Sequence, residues 1–326
     1  MRSLDQKLSG LLNNQLINRT DNVGTTMQSD IDIPQPNVKT KQPSLEPRSV
    51  ICPKTQTAES RYVILDGVKL NCSLRYVLVI LVSTHVKNRK RRDTIRQMWA
   101  NYTKWRVPDH LPWTVVFNVG FEERKPSLEN ITHDLQDEIR THGDLIVGNV
   151  TESFYTLSRK LSISIDWVNR NLAYDFFLKT DDDVFINVPK IIHNLLQIPN
   201  HIEYLGHVMW RQPVERKGRY ALTPKEFKSD RYDPYCSGGG FISRQGIISK
   251  IARYLVFENP LKYEDAYFGS LVYRIGKVPS WNYKTNFVMF NKECKFYKDL
   301  WVSHPAKTSK CMMGLMEQAL SEKFEF

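Results

Sequence analysis

The chain has 326 residues, of which 41% are hydrophobic and 25% charged, with 15 Phe, 15 Tyr and 7 Trp. This composition excludes a wholly disordered protein, and the length allows one large domain or two small ones. The formal net charge of +11 favours an anionic partner, such as a nucleic acid, a membrane surface or a phosphorylated small molecule. The five cysteines form no CxxC pair and no zinc-ligand spacing, which argues against structural zinc.

The N-terminal part of the chain lacks sustained periodicity and carries five prolines among Gln, Ser, Thr and Asp. This composition is typical of a linker or stem. We therefore expect residues 1–72 to form a largely disordered stem, with a short strand or anchoring segment near Tyr62–Leu65, and residues 73–326 to form the folded domain. No signal peptide or membrane helix is visible, because the longest apolar run, Tyr76–Val82, has only the length of a strand.

From residue 74 onward, apolar strands alternate with amphipathic helices. Strands are predicted at 76–82, 113–119 and 144–147 and before Asp181, and helices at 91–99, 128–141, 154–172 and 188–196. Short connections between such elements indicate an α/β fold with a mostly parallel, right-handed, Rossmann-like sheet flanked by helices. The second half is less regular, with a loop-rich segment at 213–234, a helix at 245–254 and another that opens at Tyr263.

One predicted strand ends in three consecutive acids, Asp181, Asp182 and Asp183, after which apolar residues resume. Three adjacent carboxylates cannot be buried without a positive partner, because an unpaired buried charge is costly. In an extended chain Asp181 and Asp183 point to one side and Asp182 to the other. Two hard oxygen ligands on one face suit Mg²⁺ or Mn²⁺. The alternative is a solvated acidic turn that caps a helix at Asn187.

A basic cluster, Lys87–Arg96, follows the first long strand and contains six Lys or Arg in ten residues. It could be a solvated face, a nucleic-acid patch or a diphosphate-binding loop. In parallel sheets ligands bind beyond the C-terminal ends of the strands, where the basic cluster and the Asp triplet both fall. This coincidence predicts a nucleotide diphosphate with its metal. We expect no nucleic-acid partner, because no recognisable binding module is present.

Other polar residues allow two interpretations each. The acids Glu264 and Asp265 open a helix, where they could serve only to complement the helix dipole. His304 precedes a proline and could be a structural histidine. The glycines Gly238–Gly240 indicate either a close approach of the backbone to another group or a sharp turn.

Five N-x-[S/T] tripeptides begin at Asn18, Asn71, Asn101, Asn130 and Asn149. Their mild excess favours a secretory lumen and therefore disulfides, with one of the five cysteines left over.

The order of the motifs resembles that of the β-1,3-glycosyltransferases of the galactosyl and N-acetylglucosaminyl type, which are related to the Fringe enzymes. The matching motifs run from about residue 74 to the C-terminus: Arg92-x-x-Ile95-Arg96-x-x-Trp99, Glu152-Ser-Phe-x-x-Leu157-x-x-Lys160, Lys179-Thr-Asp-Asp-Asp-Val-Phe-Ile-Asn187, Tyr235-Cys-Ser-Gly-Gly-Gly240 and Glu264-Asp265-Ala-Tyr-x-Gly269.

The resemblance implies a GT-A fold and an Mn²⁺-dependent, inverting transfer of a hexose from a UDP-sugar to the 3-hydroxyl of a glycan on a glycoprotein or glycolipid. Galactose is the first choice of sugar; the alternatives are N-acetylglucosamine, N-acetylgalactosamine, or a non-catalytic sugar-binding relative. Such enzymes are usually type II membrane proteins of the Golgi lumen, although no anchor is visible in this sequence.

The resemblance also implies roles for individual residues. Asp265 matches the catalytic base. The expected metal ligands are Asp181, Asp183 and His304. The expected donor-site residues are Arg92, Arg96, Lys160, Asp181, Asp182 and Gly239. By its position in the family pattern, the expected disulfide joins Cys236 to Cys294.

Overall fold

The structure, a computed structural model, describes residues 63–66, 68–71, 73–122 and 131–326. The strands are β1 (Val63–Asp66), β2 (Arg75–Ser83), β3 (Trp113–Phe121), β4 (Leu145–Thr151), β5 (Ala173–Asp181), β6 (Phe185–Ile186), β7 (Tyr204–Met209), β8 (Tyr235–Arg244), β9 (Trp281–Asn282), β10 (Phe287–Val288) and β11 (Val302–Ser303). The α-helices are α1 (Arg89–Gln97), α2 (His133–His142), α3 (Leu157–Asn171), α4 (Val188–Leu195), α5 (Gln245–Ile251), α6 (Glu264–Arg274) and α7 (Ser309–Leu320). Short 3₁₀ turns lie at Tyr102–Lys104, Phe154–Thr156 and Ala252–Tyr254.

Eight strands form the large sheet, in the order β1-β4-β3-β2-β5-β8-β7-β9. The central strands β4, β3, β2 and β5 are parallel to one another, whereas β8 runs antiparallel to both β5 and β7. The prediction of an α/β fold with a mostly parallel sheet and flanking helices is confirmed.

The central strands are apolar on both faces because helices cover both sides of the sheet. In β2, Ile80 and Val82 pack into one hydrophobic cluster, while Val79 and Leu81 pack into another. A strand buried on both faces appears in sequence as the continuous apolar run seen here. The register pairs Ser83 with Asp181, so the C-terminal ends of β2 and β5 lie side by side.

The helix boundaries follow local capping signals. The predicted helix at 128–141 is observed as α2, because the Thr132 side chain accepts a hydrogen bond from the Leu135 N–H and caps its first turn. It ends at Gly143, whose φ of 63° lies in the left-handed region that favours glycine. Residues 128–130 of the predicted span lie outside the described residues.

A small sheet of β10, β11 and β6 connects the C-terminal segment to the acidic stretch. Strand β11 pairs antiparallel with β6, and Ser303 lies opposite Phe185. Beyond β11 the Ala306 N–H donates to the Asp183 carbonyl at 2.6 Å. These contacts bring His304 to the Asp triplet, although the histidine lies more than 120 residues further along the chain.

The disulfide prediction is wrong. Cys294 is bonded to Cys311, with their Cα atoms 5.5 Å apart, and Cys236 is a buried free thiol. Cys236 packs into the hydrophobic cluster on one face of the sheet, whereas Cys294 and Cys311 pack against the cluster on the other face. The sheet therefore separates the two predicted partners. The remaining cysteines, Cys52 and Cys72, lie outside the described residues.

Described residues upstream of position 73 pair with the rest of the protein. Strand β1 pairs antiparallel with β4, and the Lys69 N–H donates to the Gly143 carbonyl at 2.6 Å. Among the described helices, none combines the length and apolar character that crossing a membrane requires.

Candidate functional site

Three potential metal ligands meet beyond the C-terminal end of β5. Asp181, Asp183 and His304 each offer one ligand atom, and these atoms all lie within 4.8 Å of one another. The His304 Nε2 atom is 3.5 Å from Asp183 Oδ1, and its Nδ1 atom is 3.2 Å from the Met289 carbonyl oxygen. A carbonyl oxygen only accepts hydrogen bonds, so Nδ1 is the donor in this contact, and Nε2 is the ring nitrogen that faces Asp183 and could bind a metal.

Two carboxylates and an imidazole are a donor set that suits a hard or borderline divalent cation such as Mn²⁺. The residues are partly withdrawn from solvent, since the side chain of Asp183 is only 18% exposed. The pKa of Asp183 is raised, because the effect of burial outweighs the opposing effect of nearby His304. This setting disfavours the alternative of a freely solvated acidic turn.

Asp182 points away from this cluster and toward the loop after β2. Its Oδ2 accepts hydrogen bonds from Thr84 Oγ1 and Asn88 Nδ2, both at 2.7 Å, and its Oδ1 lies 3.3 Å from Arg91 Nη1. Sequence reasoning missed Arg91. The signal was present in the basic cluster, but the cluster alone does not show which of its cations faces the acids.

Arg92 and Arg96, the predicted donor-site arginines, lie on α1 and direct their guanidinium groups to protein groups. Arg92 is buried, with Nε and Nη2 each 2.7 Å from a carboxylate oxygen of Glu138. Its remaining donors reach the carbonyl oxygens of His85 and Val86, at 2.8 and 2.9 Å. Burial opposes the ionisation of Glu138, but the two arginines outweigh burial and lower its pKa. Arg92 therefore fixes the shape of the loop.

Arg96 also pairs with protein carboxylates. It forms a bidentate pair with Asp144, with both distances 2.8 Å, and contacts Asp93 and Glu138 at 2.7 and 2.8 Å. The structure thus places neither Arg92 nor Arg96 with its guanidinium group free for a phosphate.

Lys160 supports the same loop from α3. Its Nζ donates to the Thr84 carbonyl at 2.6 Å and to Glu152 at 2.9 Å. Glu152 in turn accepts hydrogen bonds from the N–H groups of Val86 and Gly120, at 3.2 and 2.6 Å. Ion pairs on two sides therefore pre-organise the loop that follows β2.

Asp265 lies in the first turn of α6. Its Oδ2 accepts a hydrogen bond from the Gly238 N–H at 3.1 Å, and its Oδ1 accepts one from the Ala266 N–H at 2.8 Å. Burial raises the pKa of Asp265, although both N–H groups oppose the shift. A carboxylate held in this way is a stronger proton acceptor than an ordinary aspartate.

Glu264 and Lys179 form a buried ion pair beneath the site. The Lys179 Nζ lies 2.8 Å from Glu264 Oε1 and 2.7 Å from Asp181 Oδ1, and it donates to the Gly238 carbonyl at 2.9 Å. Burial opposes the lysine charge, but Asp181 and Glu264 outweigh burial and raise the pKa of Lys179. Sequence reasoning did not single out Lys179, although it belongs to the motif that carries the Asp triplet.

Gly239 provides space for the histidine of the cluster. A Cβ atom at this position would lie 2.8 Å from Met289 Sδ and 3.0 Å from His304 Cγ. Its carbonyl accepts a hydrogen bond from Thr180 Oγ1 at 2.9 Å. The glycine is therefore required by the packing of protein groups.

A cavity of about 570 Å³ opens beside the start of α6. Its lining combines an exposed aromatic ring, two cations and a carboxylate with hydroxyl, amide and apolar groups; the residues are Tyr155, Thr156, Arg159, Leu222, Glu226 and 259–262. Aromatic faces beside hydrogen-bonding groups suit a ligand with both apolar and polar surfaces, as a sugar has.

Comparison with known proteins gives one family. The family model described as galactosyltransferase matches residues 90–282. The chain is 27% identical over 240 residues to a lactosylceramide 1,3-N-acetyl-beta-D-glucosaminyltransferase A of Xenopus laevis, covering 70% of this chain and 62% of the relative. It is 27% identical to beta-1,3-galactosyltransferase 2 of Mus musculus, covering 72% and 56%. It is 31% identical to UDP-GalNAc:beta-1,3-N-acetylgalactosaminyltransferase 1 of Homo sapiens, covering 61% and 60%.

The chain therefore spans less than two thirds of the length of each of these relatives. Among solved structures, a glycosyltransferase involved in the glycosylation of the major capsid of PBCV-1 is similar, with a TM-score of 0.36 and 15% identity over 74% of this chain and 98% of that one. The mannosyltransferase PcManGT from Pyrobaculum calidifontis, in complex with GDP-Man and Mn²⁺, has a TM-score of 0.35 and 12% identity over 63% and 54%.

Proposed function

Because the chain belongs to the galactosyltransferase family, we propose that it is an inverting β-1,3-glycosyltransferase. It would move a hexose, with galactose as the first choice, from a UDP-sugar to the 3-hydroxyl of an acceptor glycan, with Mn²⁺ as the cofactor. The observation that carries the proposal is the position of the Asp181, Asp183 and His304 cluster next to the β8 and α6 segments that hold Asp265. The names of the relatives keep N-acetylglucosamine and N-acetylgalactosamine as alternative sugars.

Asp181, Asp183 and His304 would hold the metal. When bound, a divalent cation supplies positive charge next to the diphosphate of the departing UDP. Asp182 points away from the three metal ligands toward the loop after β2, and there Asp182 and the partly exposed Arg91 would contact the donor. Arg92 and Lys160 hold the loop directly, and Arg96 pairs with Glu138, the carboxylate partner of Arg92, so we assign all three to support of the donor site.

Asp265 would act as the base. Its carboxylate would accept the proton of the acceptor 3-hydroxyl while that oxygen forms a bond to the anomeric carbon of the donor. The bond from that carbon to the UDP oxygen breaks, and the electron pair leaves with UDP. Attack from the face opposite the leaving group inverts the configuration and gives a β product.

The acceptor would be a glycan on a glycoprotein or glycolipid. The cavity beside α6 supports this assignment, because Lys262 of its lining is followed two and three residues later by Glu264 and Asp265. We also propose a location in the Golgi lumen with membrane association, which the family resemblance and the five N-x-[S/T] tripeptides support.

The test is the release of UDP from a panel of UDP-sugars, with Mn²⁺ or with EDTA, each with galactosyl, glucosaminyl and xylosyl acceptors. We expect Mn²⁺-dependent release from one donor, which would also identify the sugar. Mn²⁺-dependent UDP binding without release from any donor would favour the non-catalytic sugar-binding alternative. Absence of UDP binding would contradict the proposed function.

A further inference from the structure

Lys179 contacts three different elements although its side chain is almost completely buried. Its Nζ lies 2.7 Å from Asp181 Oδ1 at the end of β5, 2.8 Å from Glu264 Oε1 on α6 and 2.9 Å from the Gly238 carbonyl oxygen on β8. An ammonium group has three N–H donors, and three acceptors are present here. The side chain is only 2% exposed, so water does not compete for these donors.

These partners belong to the two halves of the candidate site. Asp181 is a member of the cluster that would hold the metal. Glu264 directly precedes Asp265, and the Gly238 N–H donates to Asp265 Oδ2 at 3.1 Å. Lys179 thus touches a metal-side carboxylate, the side chain that precedes the base on α6 and the backbone of the β8 residue that donates to the base.

We propose that Lys179 is a positioning residue that fixes the metal-binding half of the site relative to the catalytic base. This inference rests on the proposed function. Lys179 takes one oxygen of Asp181, which leaves the other oxygen for a cation. It also offsets the repulsion between Asp181 and Glu264, two carboxylates that contact the same nitrogen atom.

The chain supplies a matched control in Lys160. This lysine is also 2% exposed and also pairs with a buried carboxylate, that of Glu152, at 2.9 Å. Its other partner is the Thr84 carbonyl, so Lys160 holds the loop after β2 and forms no ion pair with Asp181 or Glu264. Its charge acts on Glu264 only at longer range, where it opposes the rise in the pKa of that carboxyl. Removal of either lysine leaves a buried carboxylate unpaired, and both single variants share that cost of folding.

The experiment compares two neutralised pairs, Lys179→Met with Glu264→Gln and Lys160→Met with Glu152→Gln. Removing both charges of a pair avoids an unpaired buried carboxylate, so these variants are better able to fold than the single lysine variants. Circular dichroism and thermal denaturation check folding.

Mn²⁺ affinity is measured by calorimetry without nucleotide, and kcat is measured by UDP release at saturating Mn²⁺. Glu264→Gln alone serves as a milder variant, because glutamine keeps the shape of the side chain.

We expect the Lys179 pair variant to bind Mn²⁺ about tenfold more weakly and to lose about 100-fold in kcat, as removal of groups that orient metal ligands commonly does. Glu264→Gln should lower kcat with little change in Mn²⁺ affinity, because it loosens only the base side. The Lys160 pair variant should keep wild-type Mn²⁺ affinity. A folded Lys179 pair variant with wild-type Mn²⁺ affinity and kcat would overturn the inference, and so would equal losses in the two pair variants. A wild-type protein that neither binds Mn²⁺ nor releases UDP would instead contradict the proposed function.

Discussion

At the scale of single residues, the direction of each carboxylate decides its role. Asp181 and Asp183 lie in one cluster with His304, whereas Asp182 turns to Thr84 and Asn88. The predicted division is observed, but strand alternation does not set it: β5 ends at Asp181, and Asp182 and Asp183 lie in the turn that follows. Adjacent acids with nearly identical sequence surroundings therefore acquire different partners.

Asp265→Asn is expected to lower kcat by about 10²- to 10⁴-fold, because it removes the proton acceptor and leaves the groups that would bind UDP. UDP affinity, measured by calorimetry with Mn²⁺, should stay near the wild-type value. The control is Asp175→Asn, at a carboxylate that pairs with Arg75 near the start of β5. Transfer at the wild-type rate by Asp265→Asn would contradict the assignment of the base.

The pH dependence of kcat/KM gives a second check on Asp265. Burial raises its pKa in the folded protein. The base is active when deprotonated, so activity is lost as the pH falls through this raised pKa. The acid limb of the profile should therefore lie at higher pH than an ordinary aspartate would give. An acid limb at or below the ordinary aspartate value would argue against Asp265 as the base.

Arg91→Ala is expected to raise the KM for the UDP-sugar about tenfold, since a hydrogen bond from a charged donor is worth roughly 1.5–3 kcal/mol. Its Nη1 lies 3.3 Å from Asp182, on the side assigned to the donor. Steady-state kinetics with varied donor provide the measurement. Lys90→Ala is the matched control, because Lys90 is the exposed neighbouring cation on α1. Equal KM values for the two variants would remove Arg91 from the donor site.

At the scale of elements, the small sheet of β6, β10 and β11 completes the site. It carries His304 to the Asp triplet, and Gly239 on β8 leaves room for the imidazole. The Cys294–Cys311 disulfide ties the segment between β10 and β11 to α7, a sequence separation of 17 residues. Because the two cysteines flank β11 in the sequence, the disulfide restrains the segment that contains β11 and His304.

Replacing Cys294 and Cys311 together by serine is expected to lower the free energy of unfolding by about 3 kcal/mol, the value typical of a loop of this length. Thermal denaturation with and without reductant provides the measurement. Reductant should lower the Tm of the wild type and leave that of the double variant unchanged. Cys236→Ala, at the buried free thiol, should keep the wild-type response to reductant. Peptide mapping that finds Cys294 and Cys311 as free thiols would contradict the pairing.

At the scale of the whole molecule, Asn71 and Asn101 lie near the N-terminal ends of the parallel strands of the large sheet, whereas the candidate site lies beyond their C-terminal ends. The Asn71 carbonyl accepts a hydrogen bond from Tyr76 Oη near the start of β2, and Tyr102 stacks on Trp113, the first residue of β3, at 4.3 Å. The candidate site lies beyond the other ends of these parallel strands. Glycans on Asn71 and Asn101 would therefore not obstruct the site.

We expect N-glycans on Asn71 and Asn101 when the protein is secreted from eukaryotic cells, and none on Asn149, which lies within the paired strand β4. Glycopeptide mass spectrometry provides the measurement. The combined variant Asn71→Gln and Asn101→Gln should increase electrophoretic mobility and keep wild-type kcat. A glycan on Asn149, or unmodified Asn71 and Asn101, would contradict this placement. Asn18 and Asn130 lie outside the described residues.

The sequence by itself determined the alternation of strands and helices, because burial on one or both faces leaves a periodic trace in neighbouring residues. It located the Asp triplet at the end of a strand and predicted a loop-rich segment at 213–234, where the structure shows a single isolated bridge between Pro213 and Arg231. Capping set the start of α2 more sharply than periodicity did.

Only the tertiary structure decided which charged groups face the site. The basic cluster is evident in the sequence, but the orientation of α1 against the sheet turns Arg91 to Asp182 and Arg92 to Glu138. The same holds for the cysteines, because the sheet separates Cys236 from Cys294. Such partners come from distant parts of the chain and from opposite faces of the sheet, and neither property leaves a local pattern in the sequence.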